Sequence, residues 1–368
     1  MNYARYEPVE KLKEYVSMPA SSYDAQELED FARTLMRDFG ALGFEVEKNE
    51  QARMRSSLIF RKGRGERRLM LMGQMDTAFP HDEAAPFRME GDLAYGCGVG
   101  DMRGGLVVML FALKQAMEQI DFERYAVSVV LCADGEAGAP QSRALIQKEA
   151  QGSFGVLGFS PMGQGGLILE RRGSDAFELQ CGGEGADVSG AIQELANRIV
   201  ALYGLRDDEK GTEIHISSIE GGTGQGGRSA EASARGEARY SCPQDRANLQ
   251  SAIQNLCAAP GLKDSATRLI WGADRPALTA SQQSRALLGA AQRIALEMGV
   301  ELAPERRGAA GNIAFAGLAD TLVLDGLGVN GGGAHTRLEY ARLDRMPFQI
   351  ALAARLIAEL TGNGKQMR

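Results

Sequence analysis

Tyr95-Gly96-Cys97-Gly98-Val99-Gly100-Asp101-Met102-Arg103-Gly104-Gly105, running into the apolar stretch 106–113, is the segment around which the chain is organised. Its glycines let the backbone take positive φ and approach a ligand closely. They set one carboxylate, Asp101, just before a helix expected to begin near Gly105. A lone acid on such a loop points to a metal or ligand site. What stands around Asp101 therefore decides the function.

Outward from that loop, strand-like and helix-like segments alternate. Asp24 and Glu27 have the spacing of a capping box. Leu28, Phe31, Leu35, Phe39 and Leu42 then recur at helical spacing up to Gly43. Residues 58–60, 69–72, 126–132 and 154–159 read as buried strands, and 106–117 and 142–148 as helices. This alternation implies an α/β sheet covered on both faces. From about Arg172 the texture becomes α+β, with strands at 177–181, 212–219 and 237–241 and helices at 191–203 and 246–257. After Arg275-Pro276 the α/β pattern returns with a helix at 281–298, a strand at 321–324 and a closing helix at 347–360. The expected organisation is a discontinuous α/β domain over 1–171 and 275–368, interrupted by a compact α+β domain over 172–274.

A chain of 368 residues accommodates two domains, and its 44% apolar and 24% charged residues are those of an ordinary globular protein. The net charge of −7 is spread without a long run of one sign, and the densest basic patch, 61–68, is interrupted by Glu66. Nucleic acid is thereby disfavoured as a partner. The cysteines Cys97, Cys132, Cys181, Cys242 and Cys257 are odd in number and form no C-x-x-C pair, which argues against a disulfide framework and a cysteine-based zinc site. Residues 1–15 are charged and lack the apolar core of a signal peptide. No run reaches the ~18 apolar residues of a membrane span. The expectation is a cytoplasmic protein with no membrane partner.

Four places combine polar residues with strand ends. They are Gly73-Gln74-Met75-Asp76-Thr77, Asp101, Ala133-Asp134-Gly135-Glu136-Ala137-Gly138, and Gly331-Gly332-Gly333-Ala334-His335 beyond the turn Asp325-Gly326-Leu327-Gly328. Ligands of open α/β sheets gather at the carboxyl ends of strands. Asp, Glu and His together suit a divalent cation such as zinc. An Asp after a strand also serves as a helix cap, so each signal draws its weight from the others. Among the histidines, His335 in its glycine loop is the functional candidate, whereas His81 in a polar loop and His215 within a strand read as structural. Gly96-x-Gly98-x-Gly100 lacks dinucleotide-loop spacing, and neither a phosphate-binding G-x-x-x-x-G-K-[ST] nor a G-x-S-x-G elbow occurs.

At these residues the chain resembles, over nearly its full length, the M20 metallopeptidases, the group of glutamate carboxypeptidase, acetylornithine deacetylase and succinyl-diaminopimelate desuccinylase. Residues 71–80 look like the family's G-H-x-D-T-V-F-P, and 95–113 like its Y-G-x-G-x-x-D-M-K-G-G segment. Residues 134–143 look like D-E-E-x-G-S-x-x-S-R, and 325–340 like D-G-L-G-x-x-G-x-x-A-H-x-x-x-E-Y. The resemblance implies a zinc-peptidase-like three-layer α/β/α domain with an inserted α+β lid domain that usually dimerises.

It also implies a pair of zinc ions sharing a bridging aspartate, each with two further side-chain ligands. Carried over position by position, the bridge is Asp101, and Glu136 and His335 complete one ion's set. The other ion's places hold Gln74 and, before Pro161, Ser160. Asp76 keeps the place of the acid that orients the missing histidine. The general base is replaced by Gly135, a loss that typically costs ~10²–10⁴ in rate. The lid's oxyanion-binding H-A-G is absent from Gly183-Glu184-Gly185-Ala186-Asp187, and an oxyanion donor typically contributes ~10²–10³. The asparagine expected after Gly221-Gly222-Thr223 falls in Gln225-Gly226-Gly227, and G-G-x-S-D reads Gly308-Ala309-Ala310-Gly311. Arg275 matches the arginine that contacts the substrate carboxylate in carboxypeptidase-type members.

The expected function is thus that of an M20 homologue without standard dinuclear carboxypeptidase or deacylase chemistry. It would bind a small amino-acid- or peptide-like ligand, hold one zinc ion at most, and pair as a homodimer through the inserted domain. The alternative is an active mononuclear metallohydrolase cleaving a C-terminal or N-acyl amino-acid amide bond, with Asp76 or Asp134 as its base.

Overall fold

Short apolar strands, buried most completely in the middle of the sheet, assemble into a largely parallel sheet. The computed structural model describes residues 6–49, 56–78, 85–163, 166–182, 190–222, 229–259, 261–262, 265–319 and 321–362. His81, 183–187 and 223–227 lie outside the described residues. The chain divides into two compact units, one comprising Met1–Leu169, Ala280–Arg306 and Phe315–Arg368, the other Glu170–Thr279 and Arg307–Ala314.

The first unit is built on a six-stranded sheet in the order Glu45–Asn49, Ser57–Lys62, Tyr125–Cys132, Arg67–Gln74, Gly155–Gly158, Leu322–Leu324. The last four strands are mutually parallel, and the first two run antiparallel to their neighbours. Leu69, Leu71, Val127, Val129, Leu131 and Leu157 are fully buried on this sheet. In its register Gln74 lies beside Cys132, and Met72 beside Gly158. Parallel pairing therefore makes the segments that begin at Gln74, Ala133, Phe159 and Asp325 leave from one edge.

The helix Gly105–Ala116 is buried along almost its entire length and packs on Met346–Thr361. Gly105 lets the start of the helix lie close against the chain just past the strand Gly155–Gly158, since a Cβ there would lie 2.1 Å from the Phe159 carbonyl oxygen. The helix Ala25–Ala41 buries Leu28, Phe31, Leu35 and Phe39 and is capped by Asp24, which accepts from the N–H groups of Gln26 and Glu27 at 2.8 and 3.1 Å. The capping box is completed differently from expectation: Glu27 reaches past Asp24 to accept the Ser21 N–H at 3.0 Å.

The second unit has a four-stranded antiparallel sheet in the order Glu213–Gly221, Glu231–Tyr240, Gly173–Gly182, Ala266–Arg275. The helices Ala191–Tyr203 and Pro243–Ala258 cover it, and its core is its own, with Phe177, Leu179, Leu195, Leu202, Ile214 and Ile253. Apolar spacing does not anticipate the strand Ala266–Arg275, an edge strand half-exposed along its length, nor the short elements Glu7–Val16 and Gly166–Arg171. It also halves Glu231–Tyr240, whose buried face is built from Ala232, Ala234 and Ala238 before Tyr240. Alanine carries little strand signal.

Replacing Gly105 by alanine should destabilise the first unit by about 1–3 kcal/mol through overpacking against Phe159. Urea denaturation of the variant checks this, and an unchanged midpoint would show that the helix start tolerates a side chain.

Candidate metal centre

The loop that follows Tyr95 turns on Gly96 and Gly98, both at positive φ, and delivers Asp101 at the mouth of the helix Gly105–Ala116. A loop so rich in backbone donors needs an acceptor. Glu339, buried, provides it: one carboxylate oxygen accepts from Gly98 N at 2.9 Å, the other from Gly100 N at 2.9 Å and Asp101 N at 2.8 Å. Burial pushes the Glu339 carboxyl up to about 7, with the same backbone bonds pulling against it. Beneath the loop, Arg103 is buried and stacks 3.6 Å from the Phe31 ring centre, donating to the Met18 carbonyl at 3.3 Å.

Glu136 and His335 meet Asp101 from two other elements. His335 Nε2 lies 3.5 Å from Asp101 Oδ2 and 3.3 Å from Glu136 Oε2. One ligand atom from each of Asp101, Glu136 and His335 falls within 4.8 Å of the others, the sole such grouping of acids, histidines and cysteines among the described residues. His335 itself sits at φ +61 in its glycine loop, with 54% of its side chain exposed. Its imidazole is pushed up to about 10, first by hydrogen bonding to Asp101 and then to Glu136. An imidazolium held by two carboxylates marks a place that attracts positive charge, and the donor set of two oxygens and one nitrogen fits a zinc-like ion with a fourth position open.

The remaining sequence candidates differ in what they touch. Gln74, ending its strand, donates through Nε2 to Glu136 Oε1 at 2.7 Å. Asp76 is buried and accepts from Gly135 N and Glu136 N, each at 2.9 Å, and from Ser22 Oγ at 2.7 Å. It thus ties down the backbone of the loop that carries Glu136, and burial raises its carboxyl to about 6. Asp134 is turned away, accepting from Gln141 N at 2.7 Å, Ser142 N at 3.2 Å and Ser142 Oγ. Asp134 is a buried organiser of the turn into the helix Arg143–Gln151, so its expected candidacy as a base is corrected. Ser160 donates its N–H to Asp325 Oδ1 at 3.2 Å. Arg275 belongs to the second unit, where its Nε donates to Asn312 Oδ1 at 3.1 Å, and His215 lies exposed on the strand Glu213–Gly221.

Sequence reading assigns no role to Glu339, Ser22 or Arg103. An accounting of where the N–H groups of 98–101 go would have asked for a buried acid, and Glu339, close behind His335, satisfies it.

The profile of peptidase family M20/M25/M40 matches residues 70–359. The chain is 28% identical to carboxypeptidase G2 of Pseudomonas sp. strain RS-16 over 373 aligned positions, spanning 97% of this chain and 90% of that one. Its fold matches an M20 family metallo-carboxypeptidase from Sulfolobus solfataricus, at TM-score 0.75 and 16% identity over 96% of this chain and 98% of the other. It also matches the aminopeptidase PepT of Bacillus cereus at TM-score 0.77 and 17% identity, over 98% and 99%. The chain belongs to peptidase family M20.

Truncating Glu339 to alanine would strand three loop N–H groups, each costing about 1–3 kcal/mol when buried without a partner. With relaxation and water entry the net loss should be roughly 2–4 kcal/mol in chemical denaturation. A loss below about 0.5 kcal/mol, the level of an ordinary surface change, would mean the loop holds itself.

Proposed function

We propose that this chain is an M20 fold that has relinquished two-metal amide hydrolysis and serves to bind a small amino-acid- or peptide-like ligand, with at most one divalent ion at Asp101, Glu136 and His335. The observation that carries the reading is that these three donors converge within 4.8 Å, while the places that the resemblance gives to a second ion's ligands and to the base hold Gln74, Ser160 and Gly135. Gln74 offers an amide and Ser160 a hydroxyl, neither of them the anionic or imidazole donor a second zinc ion would take. A zinc ion held by the trio would polarise a ligand carbonyl or anchor a ligand carboxylate. Everything else falls to the chain's own residues, and Gly135 has no group with which to take a proton.

The alternative, a mononuclear amidohydrolase, needs a base. Asp76 accepts three hydrogen bonds with both oxygens engaged, and Asp134 likewise, so each carboxylate is committed to holding backbone. Neither is disposed to accept a proton from water at the trio. Arg275 is the proposed contact for a ligand carboxylate, by its correspondence with carboxypeptidase-type members.

A homodimer through the inserted domain is part of the proposal. Ile192, Val200 and Tyr203 emerge on one face of the helix Ala191–Tyr203, with Val200 74% exposed, and Ile219 is 63% exposed on the edge strand Glu213–Gly221. Exposed apolar residues grouped this way suit an interface. The proposed compartment is the cytoplasm; among the described residues no helix is long and apolar enough to cross a membrane.

Calorimetric titration with zinc should give no more than one ion per chain, any such binding being abolished by His335→Ala, while N-acyl amino acids and dipeptides raise the melting temperature without being cleaved. Turnover at the ~1–10³ s⁻¹ usual for enzymes would overturn the reading. In sedimentation, the double change Val200→Asp with Ile219→Asp should convert a dimer to a monomer; a monomeric unaltered chain would remove the dimer from the proposal.

A further inference from the structure

Gln74 and Gly135 are adjacent in space although 61 positions separate them in the chain. A Cβ built on Gly135 would lie 2.3 Å from Gln74 Oε1, 2.6 Å from its Cδ and 3.0 Å from Asp76 Oδ1. The first two distances are far inside van der Waals contact, so any side chain at 135 must push the Gln74 amide aside. That same amide donates to Glu136 Oε1 at 2.7 Å, while Glu136 Oε2 is the oxygen that faces His335, at 3.3 Å.

We propose that Gln74 is a positioning residue that clamps Glu136 with a single oxygen turned to the cation site, and that it stands where it does only because residue 135 has no side chain. The inference rests on the proposed cation site at Asp101, Glu136 and His335 and adds to it a lock between two replaced positions. The glutamine and the glycine form one steric unit: the space a longer residue at 135 would take is filled by the amide. Asp76 defines the third wall, because its Oδ1 accepts the Gly135 N–H and keeps the backbone from moving away. Restoring an acid at 135 while glutamine remains at 74 would therefore break the clamp before it built a base.

A partner that holds a metal ligand through a hydrogen bond typically contributes about 10–100-fold to metal affinity. Two measurements test the proposal on the full chain: melting temperature in chelator, and zinc affinity by competition calorimetry. Gly135→Ala alone should lower the melting temperature and weaken zinc by about tenfold or more. Introduced together with Gln74→Ala, Gly135→Ala should cost much less in both quantities, because only the approach to Asp76 Oδ1 at 3.0 Å remains. Gln74→Met keeps the length of the side chain but removes the donor. It should weaken zinc by about tenfold while leaving the melting temperature nearly unchanged, a separation that a merely space-filling role would not produce.

An equal cost of Gly135→Ala with glutamine or alanine at 74 would overturn the lock. Zinc binding by Gln74→Met equal to that of the unaltered chain would overturn the clamp. Failure of the unaltered chain to bind zinc would overturn the clamp's positioning role together with the cation site itself, whereas the metal-free melting cycle decides the lock on its own.

Discussion

The carboxylate of Glu339 gathers the N–H groups of Gly98, Gly100 and Asp101, and the rest of the centre depends on that grip. The glycines bring the backbone close, but closeness leaves amide donors facing inward, and only an acceptor with two oxygens satisfies three of them at once. Asp76 plays the corresponding part for the opposing loop, taking the N–H groups of Gly135 and Glu136. Two buried acids outside the trio thus fix the two loops from which Asp101 and Glu136 project. Glu136 comes off the carboxyl edge of the parallel sheet, whereas Asp101 follows the strand Leu93–Tyr95 and His335 lies between Gly331–Gly332 and Tyr340–Arg342, strands of a separate antiparallel sheet. Hydrogen bonds then tie the loops of Asp101 and Glu136 down.

This separation between scaffold and chemistry explains how the family fold persists while the proposed loss of hydrolysis stays local. Gln74 ends its strand, and Gly135 and Ser160 lie beyond the ends of theirs, where replacement does not disturb the buried apolar runs of the sheet. What changes is the charge and proton chemistry at the mouth. By the family resemblance, a neutral amide at Gln74 stands in an imidazole's place and Gly135 in that of a carboxylate. His335 faces the two carboxylates with its imidazole pushed up towards the charged form, and a divalent ion would compete with that proton for them.

The first unit is largely legible from spacing, since its central strands are short apolar runs and its long helices have a regular apolar period. Gly43 closing the helix Ala25–Ala41 and Gly105 opening the next were both readable as conformational punctuation. The convergence of Asp101, Glu136 and His335 was legible too, because each sits on a glycine-rich loop near a strand end and the family motif orders them. Glu339, Ser22 and Arg103 were not, as a buried charge betrays itself only once the donors and rings around it are placed. Asp134 misled because an acid after a strand reads equally as a base or as a cap, and only the bonds from Gln141 and Ser142 decide. The small-residue strand Glu231–Tyr240 and the half-exposed Ala266–Arg275 carried too little hydrophobic contrast to be outlined fully.

The most direct test of this account is the number of zinc ions bound per chain, determined by native mass spectrometry after equilibration with excess zinc and removal of loosely held metal. A centre with Gln74 and Ser160 in place of ligands should retain one ion or none, and the His335→Ala variant none. Two tightly held ions per unaltered chain would contradict the account, since they would require donors that it denies to the second position.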